Sequence, residues 1–228
     1  MNSKIGDIKY FAEIEWAQRA AEYVHSRVNS VLQNFGSCSI MLTGGRSAKK
    51  LYGHWRTLPV SSWEARVQFY FTDERCVPET DEESNYYLAS RALLSRWSAF
   101  RFEVNKMYAG GSIMDSVARY DALLPDSVDI VILGLGDDGH VASLFPGNEI
   151  ETDRKAVYAK APYAPFDRIS VAPAVITNAK NIFVLAPGES KGLVVQWLHS
   201  EDIRARDMPS KLAFGATWFV DTPFLSNV

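Results

Sequence analysis

Residues 134 to 140 read Gly-Leu-Gly-Asp-Asp-Gly-His and follow the most apolar run of the chain, Val128 to Leu133. Histidine titrates nearest neutral pH, so His140 can take a proton from a water molecule. Asp138, two residues earlier, can hold the tautomer of that ring. Taken literally, Gly134-x-Gly136-x-x-Gly139 also matches a dinucleotide fingerprint. Two adjacent aspartates would repel a pyrophosphate, however, and Pro146 interrupts the helix that should follow. The reading retained is an acid–base pair, His140 with Asp138, on a glycine-shaped loop.

Two more polar segments close apolar runs. Thr43-Gly44-Gly45-Arg46-Ser47 lets the backbone approach an anion and opens a helix whose first N–H groups are free. By spacing alone it also reads as a tight turn, and it is not a Walker loop. Thr72-Asp73-Glu74-Arg75 ends an aromatic and β-branched run, and reads equally as a solvated turn. Further on, Arg168 and Lys191 follow loops that could face the same opening, although each alone reads as an ordinary surface cation. His25, His54 and His199 show no metal-ligand spacing, and no metal is expected.

These residues need a scaffold. Apolar residues from Phe11 to Phe35 recur at steps of three and four, which predicts one amphipathic helix ending at Gly36. Met1 to Ser37 is thereby taken up by a helix. Strands are predicted at Cys38–Thr43, Val67–Thr72, Val128–Leu133, Ala156–Lys160, Asn181–Ala186 and Thr217–Val220. Helices are predicted at Ser47–Trp55, Ser84–Trp97, Ile113–Leu124 and Ser190–His199. Alternating strands and helices imply an α/β fold: a single doubly wound, mainly parallel sheet with helices on both faces. Residues 1–228 read as one domain, with Ala161–Phe166 a loop over a site. In such sheets ligands bind beyond the carboxyl ends of the strands, where the three polar segments fall.

The totals remove other classes. With 24 basic and 27 acidic residues the net charge is −3, and no basic run could neutralise many phosphates of a nucleic acid. The 47% hydrophobic content fits a globular chain rather than a disordered one. Apolar runs are strand-sized, too short to span a membrane. Two cysteines make no disulfide framework, and acids interrupt the N-terminal stretch where a signal peptide would be apolar. A cytoplasmic protein is expected.

Taken together, TGGRSAKKLY, FTDERCVPETDEESNYYLASRALL, ILGLGDDGHVASLFPG, RISVAPAVITNAKNIFVLAPGESK and the closing MPSKLAF with TWFVD resemble the 6-phosphogluconolactonase family. That family is related in its Rossmann-like fold to glucosamine-6-phosphate deaminases. The pieces run from Thr43 to Asp221 in the family's order. The resemblance implies hydrolysis of 6-phosphoglucono-δ-lactone to 6-phosphogluconate in the pentose phosphate pathway, without metal or cofactor. It implies that His140 activates water, with Asp138 beside it. It also implies that Gly44, Gly45, Arg75, Arg168 and Lys191 surround the substrate; Arg46, which could add a phosphate contact, and Asp73 are counted as further candidate binding residues. The partner is then a small phosphorylated sugar lactone, not nucleic acid or membrane, bound by a monomer or weak homo-oligomer. One departure stands out: the family's glycine loop continues with Thr-Pro, whereas this chain has Ser47-Ala48, and a proline would preset the first helical turn.

The runner-up is an amino-sugar-phosphate deaminase. In that family a glutamate five residues after the loop histidine works in ring opening. Here the position is Phe145, which cannot move a proton. A sugar-phosphate sensor would need a DNA-binding module, for which Met1 to Ser37 leaves no room.

Overall fold

The computed structural model describes residues 4–60, 63, 66–98, 102–148, 153–162 and 164–221. Strands β1 (Gly6–Tyr10), β2 (Cys38–Leu42), β3 (Val67–Phe71), β5 (Glu103–Val104), β6 (Ile130–Gly134), β9 (Ile182–Ala186) and β10 (Ala216–Val220) form one sheet. Its order is β1-β10-β9-β6-β2-β3-β5 and every pairing is parallel. The central strands β2, β6 and β9 are apolar and almost wholly buried, as strands covered on both faces must be.

Helices α1 (Trp16–Phe35), α2 (Gly45–Trp55), α4 (Ile113–Leu123) and α6 (Glu189–His199) connect these strands. Crossovers between parallel strands are right-handed. The chain moves one way across the sheet through α1 and α2, and the other way through α4 and α6. The two pairs therefore cover opposite faces, and α1 packs on α2. The doubly wound sheet is the one expected.

A second, three-stranded antiparallel sheet was not expected. It contains β4 (Asp73–Arg75), β8 (Asp167–Val171) and β7 (Ala156–Lys160), in the order β4-β8-β7. Asp73–Arg75 is thus a paired strand, not a solvated turn, and Arg168, which follows the 161–166 loop, is the second residue of β8. Two further short helices are α3 (Asn85–Ala92) and α5 (Pro173–Thr177). A separate 3₁₀ turn at Leu94–Trp97 splits the predicted Ser84–Trp97 helix.

The N-terminus corrects another expectation. Residues Gly6–Tyr10 are an edge strand in register with Ala216–Val220, so one helix does not consume this region. Helix α1 begins only at Trp16, because Ala12–Glu15 is a turn closed by Glu15 N–H on the Ala12 carbonyl. Ile14, placed on the apolar stripe by its spacing, is 91% exposed. The helix does stop at Gly36, which adopts φ 78 and donates its N–H to Leu32 O at 3.0 Å. Tyr163, in the Ala161–Phe166 loop, lies outside the described residues.

Candidate active site

Strands β2 and β6 are neighbours, yet the chain leaves them toward opposite faces. That is the switch point where a crevice opens beyond the strand ends. Thr43 to Ser47 follow β2 and Leu135 to His140 follow β6, so both loops border the crevice. Thr43 Oγ1 accepts from Gly134 N–H at 3.3 Å and ties them together. The cavity there holds about 250 Å³, and every expected site residue except Asp138 lines it. Thr43, Ser47, Asn85, Asp137 and Ala142 line it as well.

The His140 loop is a closed turn, not a helix start. Gly136 N–H donates to His140 O at 2.9 Å, and Gly139 N–H returns to Gly136 O at 3.0 Å. Asp138 reaches His140 through a 2.6 Å contact from Oδ1 to Nδ1, and accepts the His140 backbone N–H at 3.1 Å. A carboxylate at Nδ1 selects the tautomer with the proton there, which leaves a lone pair on Nε2. Gly139 has φ 81, and a β-carbon on it would strike the Met208 side chain. Ser210 N–H also donates to Gly139 O at 2.9 Å. The segment after α6 therefore braces the loop from behind. Sequence reasoning missed Met208 and Ser210, since the contact spans about seventy residues of chain.

Cations converge from two sides. Arg75 and Arg168 are direct cross-strand partners on β4 and β8, an arrangement that repels unless something anionic lies between or beside them. Arg168 sits 3.7 Å from Asp73 with its side chain 11% exposed. Burial pushes the Arg168 guanidinium below its usual value; Asp73 pulls it back up and Arg75 pushes it down. Arg75 donates through Nη1 to Glu83, at its carbonyl and at 3.1 Å to its carboxylate. The Nε of each arginine is buried with no hydrogen-bond partner among the described residues. Such atoms are waiting acceptors' counterparts: donors without an acceptor.

On the other side Lys191, in the first turn of α6, donates to Ser47 Oγ at 3.0 Å. Burial lowers its ammonium below the ordinary lysine value, with Asp137 and Asp221 opposing and Arg46 reinforcing that shift. Ser47 is thus a partner of Lys191. Its neighbour Ala48, where the family has proline, is fully buried in the core. Gly44 caps α2, and any β-carbon on it would collide with the Asn85 amide.

Asp73 lies in the cavity wall but is fully engaged. It accepts from Ser143 Oγ at 2.7 Å and from Asn85 Nδ2 at 3.2 Å. Glu74 points away from the cavity, as alternation along a strand requires. Its carboxylate accepts the backbone N–H groups of Asn85 and Tyr86, 2.7 and 2.8 Å, at the start of α3. Burial pushes the Glu74 carboxyl up, against the pull of those hydrogen bonds. Both cysteine thiols are pushed up to about 12, chiefly by burial, which keeps them protonated and poor nucleophiles. No helix of the described residues is long and apolar enough to cross a membrane.

A parallel α/β sheet thus gathers a carboxylate-paired imidazole and several cations around one cavity at its switch point. Residues 12–218 match the family model described as glucosamine-6-phosphate isomerases/6-phosphogluconolactonase. The chain is 30% identical to the 6-phosphogluconolactonase 3 of Saccharomyces cerevisiae, covering 91% of each. It is 32% identical to the 6-phosphogluconolactonase of Pseudomonas aeruginosa, covering 78% of each. The crystal structure of a 6-phosphogluconolactonase from Shewanella baltica superposes with a TM-score of 0.79 at 26% identity, covering 96% of this chain and 98% of that one. The chain belongs to the glucosamine-6-phosphate isomerase/6-phosphogluconolactonase family.

Proposed function

We propose that this chain hydrolyses 6-phosphoglucono-δ-lactone to 6-phosphogluconate, in the pentose phosphate pathway. The observation that carries the reading is the 2.6 Å His140–Asp138 pair at the mouth of a cavity lined by Arg46, Arg75, Arg168 and Lys191. His140 Nε2 takes a proton from water as its oxygen bonds to the lactone carbonyl carbon. Asp138 stabilises the resulting imidazolium. The tetrahedral oxyanion then reforms the carbonyl and expels the ring oxygen, which receives the proton held by His140. One water is added and one C–O bond is broken.

Cations and the free N–H groups at the start of α2 hold the phosphate by charge-assisted hydrogen bonds. The depressed Arg168 and Lys191 support this part of the reading, since a dianion compensates both. Asp73 keeps Arg168 oriented through direct and Ser143-bridged contacts. Phe145 stands where deamination would need a carboxylate, so glucosamine 6-phosphate should yield no ammonia. The deciding assay follows acid release from freshly prepared 6-phosphogluconolactone. A rate no greater than spontaneous hydrolysis would remove the proposal.

A further inference from the structure

Phe145 is 4% exposed but does not belong to the main hydrophobic core. Its burial needs another explanation. The ring stands in a thin wall. On one side is the imidazole of His140, with centroids 4.8 Å apart and planes at 47°. The Arg168 guanidinium carbon lies 5.9 Å from the same ring. On the other side is a second cavity of about 490 Å³, which Phe145 lines with Val157 and Tyr158.

The chain takes an uncommon path to bring this ring back to His140. Leu144 N–H donates to Val141 O at 3.0 Å, closing a turn in which Ala142 adopts φ 51. A non-glycine residue in the left-handed region is held there by its surroundings, and such residues cluster at functional sites. The hydrogen bond that Nδ1–H donates to Asp138 Oδ1 restrains one atom of the imidazole. One hydrogen bond is a soft restraint, and small coupled rotations about the Cα–Cβ and Cβ–Cγ bonds still carry Nε2 with them. The Phe145 ring, tilted against the imidazole, limits that motion on its side.

The geometry points to Phe145 as a positioning residue that, with Asp138, fixes the direction of His140 Nε2. The kinetic consequence rests on the lactonase reading; the placement of the imidazole does not. Displacement of a reacting group by about 1 Å can cost on the order of a hundredfold. Phe145→Leu keeps the apolar volume but loses the flat ring. It should lower kcat about ten- to a hundredfold. KM should change by less than about fivefold, since the Arg168 contact is a weak one. Phe145→Tyr keeps the ring and should restore kcat.

The second measurement needs no turnover. With ¹³C-labelled histidine, the His140 Hε1–Cε1 resonance, identified by its loss in His140→Gln, senses the aromatic ring beside it. It should move in Phe145→Leu and stay near its wild-type position in Phe145→Tyr. An unmoved resonance in folded Phe145→Leu overturns the inference, whatever happens to kcat. A moved resonance with wild-type kcat, in an enzyme whose lactonase activity is established, overturns it too.

Discussion

The imidazole of His140 occupies the space that a β-carbon on Gly136 would need. Asp138 Oδ1 crowds the same point, 2.6 Å from it. Gly136 is therefore glycine for want of room, not for its backbone angles. Gly136→Ala should push the ring aside and lower kcat by on the order of a hundredfold. Steady-state kinetics beside a thermal melt checks this. A folded variant with unchanged kcat would show that the ring can relocate without cost.

Removing the base itself has a defined size. His140→Ala should reduce kcat by about 10²–10⁴. Binding of 6-phosphogluconate, measured by calorimetry, should survive within a few-fold, because the imidazole serves water rather than phosphate. Near-wild-type turnover would take His140 out of the mechanism.

The cations make a prediction that separates the two ends of the substrate. Charge-assisted contacts to phosphate contribute roughly 1.5–3 kcal/mol each. Arg168→Ala and Lys191→Ala should each lower kcat/KM about ten- to a hundredfold, mainly through KM. The loss should shrink sharply on unphosphorylated gluconolactone at matched ionic strength. Equal losses on both lactones would assign these cations to the carbonyl end or to the fold.

Glu74 tests the support of the site rather than its chemistry. Its carboxylate accepts from Arg75 N–H, Asn85 N–H, Tyr86 N–H and Ser84 Oγ, all within 3.0 Å. Glu74→Gln matches the shape but turns one acceptor into a donor, leaving a buried N–H unpaired. A loss of about 1–3 kcal/mol is expected, or about 2–4 °C in Tm per kcal/mol for a chain of this size. An unchanged melting temperature would mean that α3 finds another cap.

His25 predicts how stability follows pH. It is 9% exposed and stacks on Trp63 with centroids 4.8 Å apart. Burial pushes its imidazole below the ordinary value. The unfolded chain then holds the proton more tightly, so the stabilisation is present above about pH 6.5 and is lost as pH falls through the folded value. Tm should drop between about pH 7.5 and about pH 5.5, and drop less in His25→Phe, which keeps the stack. Parallel profiles would place the acid sensitivity elsewhere.

The sequence by itself determined the central strands, the helices between them and the loops that carry His140, Asp138, Gly44 and Gly45. Each is a local signal: an apolar run long enough to be a buried strand, a period of three and four, a glycine where the chain must turn. Gly36 ending α1 is of that kind. The stop needs only a left-handed residue and the carbonyl of Leu32, four positions back.

Only the tertiary structure decided the rest. Strands β1, β4 and β8 carry charged residues instead of an apolar run, and become strands because β10 offers hydrogen bonds to β1, β8 to β4, and both β7 and β4 to β8. Asp73 and Glu74 are neighbours in sequence, yet one faces the cavity and the other caps α3, a division set by the pairing register. Lys191 meets Ser47 across 144 positions, and Asn85 lies over Gly44 because α3 packs on α2. Phe145 reaches His140 only through the turn at Ala142. These contacts come from the packing of distant elements, whose energies no local pattern of residue types records.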